Sequence, residues 1–170
     1  GELPNLKIND FYQDDDEYVW ISTDYGICRY NGIDYVNYFH SSSVPTSIPS
    51  NKVLSSLQDG SGRLWVLTTA GVCRFDRRTE QVTGILSDKN LRGMVHVNGT
   101  IICYGGSGFV CISTGDDSIS INSPEKDGVR SVTVQNGTQI WAISEIGGNI
   151  SCYDLEFNRI DHISAEDVGK

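Results

Sequence analysis

Residues 17–30, EYVWISTDYGICRY, recur at 62–75 as GRLWVLTTAGVCRF, and this repetition limits the chain to architectures built from like units. The offset of 45 carries no gap. Gln13, Asp14, Trp20, Thr23, Gly26, Cys28 and Arg29 fall on Gln58, Asp59, Trp65, Thr68, Gly71, Cys73 and Arg74. Apolar positions follow, with Ile8 on Val53, Ile21 on Val66 and Tyr30 on Phe75. A second pair repeats at 38: VNGTIIC from Val97 meets QNGTQIW from Gln135, which places Cys103 on Trp141. Trp65 and Trp141 are 76 apart, two periods of 38. Four units of about 40 residues result, with approximate boundaries 1–45, 46–88, 89–127 and 128–170, centred on Trp20, Trp65, Cys103 and Trp141.

Each unit reads as four short strands. In the fourth, the β-branched, alternating VRSVTVQ leads into Asn136-Gly137, a strong two-residue hairpin signal, and then into TQIWAIS, NISCYD and RIDHI. No window sustains a helical apolar period. The expected fold is therefore all-β, with about four four-stranded antiparallel sheets as β-propeller blades in a single segment over 1–170. Runs such as VWI, LWVL and IWAI suit inner strands buried on both faces, and Trp20, Trp65 and Trp141 are expected to be buried between sheets. Cys103, replacing the Trp in unit three, is expected to weaken that blade. Gly26, Gly71, Gly108 and Gly148 mark sharp turns from second to third strand.

Four consecutive acidic residues, Asp14 to Glu17, raise the question of a calcium loop. They occupy the slot filled by DGSG at 59–62, by Asn98-Gly99 and by Asn136-Gly137, each the turn between first and second strands. Asp and Asn favour such turns because their side chains bond nearby backbone. An EF-hand's final Glu is also missing, since Tyr25 stands at position 12 of a loop that starts with Asp14 as position 1. The run is read as a structural corner, and no metal or cofactor is expected.

A formal net charge of −9, with 13 Lys and Arg scattered singly apart from Arg77-Arg78, argues against nucleic acid and against anionic membranes. Gly1 is read as a remnant on an excised segment, so a missing leader carries no information about compartment. Five cysteines, Cys28, Cys73, Cys103, Cys111 and Cys152, sit inside apolar stretches without metal-ligand spacing and are expected to be free, buried thiols. GGSGF at 105–109 misses the last glycine of a nucleophile elbow and joins two strands. His40, His96 and His162 lack a nucleophile partner, and no catalytic residue is assigned.

SLQDGSGRLWVLTTAGVCRFD, at 56–76, resembles the two-component regulator propeller repeat through Asp59, Gly62, Trp65, Thr68, Gly71, Val72, Arg74, Phe75 and Asp76. YQDDDEYVWISTDYGICRYNG, at 12–32, is similar again, with Glu17 replacing the turn glycine; SIPSNKV, at 47–53, resembles the lead into a following blade. Units three and four match weakly. The resemblance implies a fragment of a larger seven-bladed propeller. It also implies the periplasmic sensor region of a hybrid two-component histidine kinase, an inner-membrane receptor that recognises carbohydrate breakdown products. The implied partners are an oligosaccharide or related small ligand and the remainder of the parent receptor, with a homodimer through unpaired sheet edges as a further expectation. A non-catalytic protein-interaction β-propeller scaffold is the alternative.

In a propeller, the turns from second to third strand and the links between blades share one face. Here they are 23–26, 68–71, 105–108 and 145–148, with 40–51 and 87–93 between blades. Sugars are held by aromatic faces and planar hydrogen-bonding groups, and Tyr25, His40, Asn51, Arg92 and Glu145 supply these.

Overall fold

A computed structural model describes residues 3, 4, 7–88, 90–122, 124 and 127–167. Gly1, and Lys89 within the 87–93 link, lie outside the described residues. Two compact units, Gly1–Lys89 and Asn90–Lys170, each hold two four-stranded sheets. The first contains β1 (Ile8–Gln13), β2 (Val19–Thr23), β3 (Gly26–Tyr30) and β4 (Tyr35–Tyr38), then β5 (Val53–Gln58), β6 (Leu64–Thr68), β7 (Gly71–Asp76) and β8 (Gln81–Leu86). The second contains β9 (Leu91–Val97), β10 (Thr100–Gly105), β11 (Gly108–Ser113) and β12 (Ile119–Asn122), then β13 (Val129–Gln135), β14 (Gln139–Ser144), β15 (Ile150–Tyr153) and β16 (Arg159–Ile163). Every sheet runs in chain order with antiparallel neighbours, and there is no helix among the described residues.

In the first unit, Trp20 from β2 meets Phe75 from β7 edge-on at 5.2 Å and stacks near Tyr38 at 6.0 Å, inside a core completed by Ile48, Val53, Leu64 and Val66. All five residues of β6 are buried, as expected of a strand covered on both faces. In the second unit, Ile102, Phe109 and Cys111 pack with Val129, Ile140, Ala142 and Tyr153.

The register corrects one sequence assignment. Val97 pairs with Thr100, leaving a two-residue loop, whereas Gln135 pairs with Gln139, leaving three. The 38-residue offset therefore slips by one after the turn. Trp20 lies three residues before Thr23, which closes its hairpin against Gly26; Ile102 lies three before Gly105, which closes against Gly108. Ile102 thus holds the tryptophan position and Cys103 points to the opposite side of the strand. Trp141 departs from expectation too. Unlike Trp20 and Trp65, both 0% exposed, it is only half-buried, because its face of the sheet borders an open apolar groove with Ile143 and Ile150.

The acidic corner is built inward. Asp14 accepts hydrogen bonds from Trp20 Nε1 at 2.8 Å, from Arg77 Nη1 at 2.8 Å, and from the backbone N–H groups of Asp16 and Tyr18 at 3.0 Å. Asp59 repeats the arrangement, taking Trp65 Nε1 at 2.8 Å, Arg63 Nε at 2.9 Å and the N–H groups of Ser61 and Arg63. In the fourth sheet Gln135 Oε1 accepts from Trp141 Nε1 at 2.9 Å, so the clasp persists with a neutral acceptor. Glu17 and Gly62 close the two aspartate turns, donating N–H to Asp14 and Asp59 carbonyls at 3.0 Å, with φ of 66° and 79°. Glu17 therefore carries a left-handed conformation that glycine adopts without strain. Glu17→Gly is expected to raise stability by about 0.5 kcal/mol, the relief of strain exceeding the added unfolded-state entropy; equilibrium denaturation measures it.

Burial works against ionisation of Asp59, but the hydrogen bonds from Trp65, Arg63 and Ser61 outweigh it and hold the carboxyl below the ordinary range. A depressed folded-state pKa gives stability that is complete above the unfolded value, ~3.9, and lost as pH falls through the folded value. Acid unfolding is accordingly expected to set in below about pH 4, and a fluorescence-monitored pH titration checks it. The five cysteines are buried and unbridged. Burial pushes the thiols of Cys28 and Cys73 up to about 11 and about 12, which keeps them protonated and unreactive.

Candidate ligand-binding site

The turn from β2 to β3 is fixed by Thr23, whose hydroxyl donates to Gly26 O at 2.9 Å and accepts from Tyr25 N at 3.1 Å. Thr68 makes the same pair of bonds around Gly71 and Ala70. Identical scaffolds therefore present different side chains: a tyrosine, 54% exposed, in the first blade and an alanine in the second. Gly26 is required here because a Cβ would sit 2.7 Å from Tyr38 O, and its φ is 106°. That close approach brings the turn against the strand end carrying Phe39.

Tyr25 and Phe39 lie with ring centroids 5.6 Å apart and planes inclined by 50°. The adjoining link is tied down by Asn51, whose carbonyl oxygen accepts Gly26 N at 2.6 Å and whose carboxamide oxygen accepts His40 N at 2.7 Å. His40 Nδ1 lies 2.8 Å from Ile48 O and donates to it, so in the neutral imidazole Nε2 is the acceptor. Asp24, beside Tyr25, bonds Lys7 Nζ at 2.8 Å and Asn9 Nδ2 at 3.0 Å; Lys7, then Asn9, hold its carboxyl below the usual range. The result is an exposed aromatic pair on a braced turn, flanked by an imidazole acceptor and a carboxylate.

Three of the five residues singled out from sequence, Tyr25, His40 and Asn51, thus come together in the first unit. The other two belong to the second, where Arg92 Nε and Nη2 grip Glu145 Oε2 and Oε1 as a bidentate pair, the first contact being 3.2 Å. Their planar groups face one another, and the Glu145 amide is anchored on Gly128 O. Phe39 was missed by sequence reasoning. Its signal was its place at the end of an alternating strand, where the next residue begins the link. Among the described residues no group of His, Cys, Asp or Glu gathers as a metal site.

Comparison with known proteins agrees with the repeat architecture. The family model described as two component regulator propeller matches residues 2–25 and 47–70. No curated protein matches. Among solved structures, the chain is similar to the extracellular domain of a protein described as the hybrid two component system BT3049 from B. thetaiotaomicron, with 18% identity and a TM-score of 0.58 over 92% of this chain and 30% of that one. The corresponding domain of BT4673 from the same organism gives 17% identity and 0.58 over 99% and 31%. Virginiamycin B lyase from Staphylococcus aureus gives 14% identity and 0.76 over 95% and 57%. The chain therefore spans about a third of the first two and just over half of the third. At these identities the likeness concerns the fold. Residues 2–25 and 47–70 match the two component regulator propeller model, and the chain has a β-propeller fold.

Proposed function

We propose that the chain is a ligand-recognising propeller segment of a hybrid two-component sensor histidine kinase, on the periplasmic side of the inner membrane, and that it reads an oligosaccharide without chemically altering it. The regulator repeats and the extracellular sensor domains of like fold support the receptor assignment. The observation that carries the ligand class is the exposed Tyr25–Phe39 pair on its braced turn, with His40 Nε2 and Asp24 beside it. Aromatic faces take the C–H surface of a sugar ring, and fixed acceptors orient its hydroxyls. β16, exposed at every residue, supplies a surface for the remainder of the receptor or for a second copy.

The double substitution Tyr25→Ala, Phe39→Ala tests the ligand reading, because both side chains are largely exposed and their loss spares the core. Affinity for whichever xylo-, manno- or gluco-oligosaccharide the unaltered chain binds is expected to fall at least tenfold, about 1.4 kcal/mol. A change within about twofold, with an unchanged circular dichroism spectrum, would mean that this turn is not the recognition surface.

A further inference from the structure

The two sheets of each unit pack across a seam, and the two seams are filled differently. In the first unit, Trp20 pairs across the strands with Arg29, and Tyr38 pairs with Ile27, the residue after the hairpin glycine. The Arg29 guanidinium lies 6.0 Å from the Trp20 ring and 5.9 Å from the Tyr38 ring. Glu80 from the neighbouring sheet closes the stack, accepting from Arg29 Nη2 at 3.1 Å and Tyr38 hydroxyl at 2.7 Å. In the second unit most of the same register positions hold smaller residues, Phe109 at the Ile27 position being the exception. Ile102 pairs with Cys111, in place of Trp20 with Arg29, and Asn122 pairs with Phe109, in place of Tyr38 with Ile27. Leu155, after Asp154, stands where Arg77 follows Asp76.

Four large seam residues, Trp20, Arg29, Tyr38 and Arg77, are thus matched by Ile102, Cys111, Asn122 and Leu155, and the space is open: a cavity of about 310 Å³ lies there. Its apolar wall includes Ile102, Leu155 and Phe157, and its polar groups are Asn98, Thr100, Ser120, Asn122 and Glu156. Phe157 holds a left-handed backbone, φ 63°, that a bulky side chain rarely adopts. Its ring packs at 4.9 Å from Phe109 and borders the cavity. That conformation closes the Asp154 turn, Phe157 N–H donating to Asp154 O at 3.1 Å, as Glu17 closes the Asp14 turn. The Asn122 amide donates to Cys111 Sγ, a weak acceptor, at 3.7 Å.

From the cavity so formed, we infer a second ligand subsite at the seam between the third and fourth sheets, shaped for one neutral pyranose ring. An aromatic wall with aliphatic floor suits the ring's C–H face, and amides and hydroxyls match its hydroxyl groups. The volume is at the lower limit for small-molecule sites, which suits a single ring rather than a chain. Glu156 is the one charged group lining the cavity among the described residues, so an acidic sugar would oppose carboxylate to carboxylate. This inference rests on the proposed oligosaccharide reading but places a ring at residues separate from Tyr25 and Phe39.

Saturation-transfer NMR on the whole chain with the methyl pyranosides of glucose, galactose, mannose and xylose tests it. At least one neutral glycoside is expected to receive transfer from the protein. Transfer should persist in the Tyr25→Ala, Phe39→Ala variant, and in that background Asn122→Tyr, which restores the residue of the first seam, should weaken it at least about tenfold. Glu156→Lys, at an exposed turn, should add transfer to methyl glucuronide and covers the case in which Asn122→Tyr does not fold. Transfer that survives Asn122→Tyr but is lost in the Tyr25–Phe39 variant would reject the seam subsite and leave the oligosaccharide reading standing. Transfer to no neutral glycoside, or only to glucuronide or glucosamine with the unaltered chain, would overturn the subsite itself.

Discussion

Replacing Trp65 by alanine is expected to lower the unfolding free energy by about 4 kcal/mol, the upper range for emptying a large buried aromatic site. Trp65 is fully buried, its indole N–H binds Asp59 at 2.8 Å, and the Arg74 guanidinium lies 5.9 Å from its ring. Alanine removes the packing and also strips a buried carboxylate of one of its donors. Trp65→Phe separates the two losses: most of the packing returns, and the residual deficit of about 1–2 kcal/mol reports the hydrogen bond. Trp141→Ala provides the contrast. Its ring is half-buried and its N–H serves Gln135, so less than half the cost is expected. Urea denaturation, read through midpoint and slope together, makes the comparison. Equal costs at the two positions would contradict the burial difference.

Arg77→Ala is expected to cost about 3 kcal/mol, because breaking a buried ion pair leaves its partner's charge uncompensated. Arg77 reaches across from the turn after β7 to Asp14, whose carboxylate is wholly inaccessible, and to Asp16 at 2.7 Å. The same carboxylate orients Trp20, so the loss spreads from the ion pair into the aromatic core. Arg78→Ala, one residue on and exposed, should stay within about 0.5 kcal/mol. A double-mutant cycle with Asp14→Asn is expected to show coupling of about 2 kcal/mol. Additive effects would mean that Arg77 and Asp14 stabilise the chain independently.

Much of this architecture was legible in the chain, and for a physical reason. Gapless repetition at 45 transmits register, so Trp20, Thr23 and Gly26 could be superposed on Trp65, Thr68 and Gly71 without structural knowledge. Where a hairpin loop changes by one residue the transmission fails. Asn98-Gly99 closes in two residues and Asn136-Gly137-Thr138 in three, and that difference moved the tryptophan position from Cys103 to Ile102. The acidic corner was correctly placed as a turn, but its inward role was not legible, because the Asp14–Arg77 pair spans 63 residues. The candidate site was partly legible. Tyr25, His40 and Asn51 share one turn and one link, so their proximity follows from local connectivity. Phe39 entered through the close approach at Gly26, and the pairing of Arg92 with Glu145 through packing between sheets.

The property proposed for this segment is that it binds oligosaccharides and returns them unchanged. Isothermal titration of the full chain with size-fractionated xylo-, manno- and gluco-oligosaccharides, followed by chromatography of the recovered sugar, tests it most directly. Saturable heat with at least one series and an unaltered chain-length profile are expected. Heats indistinguishable from dilution across all the series, or new chain lengths in the recovered sugar, would contradict it.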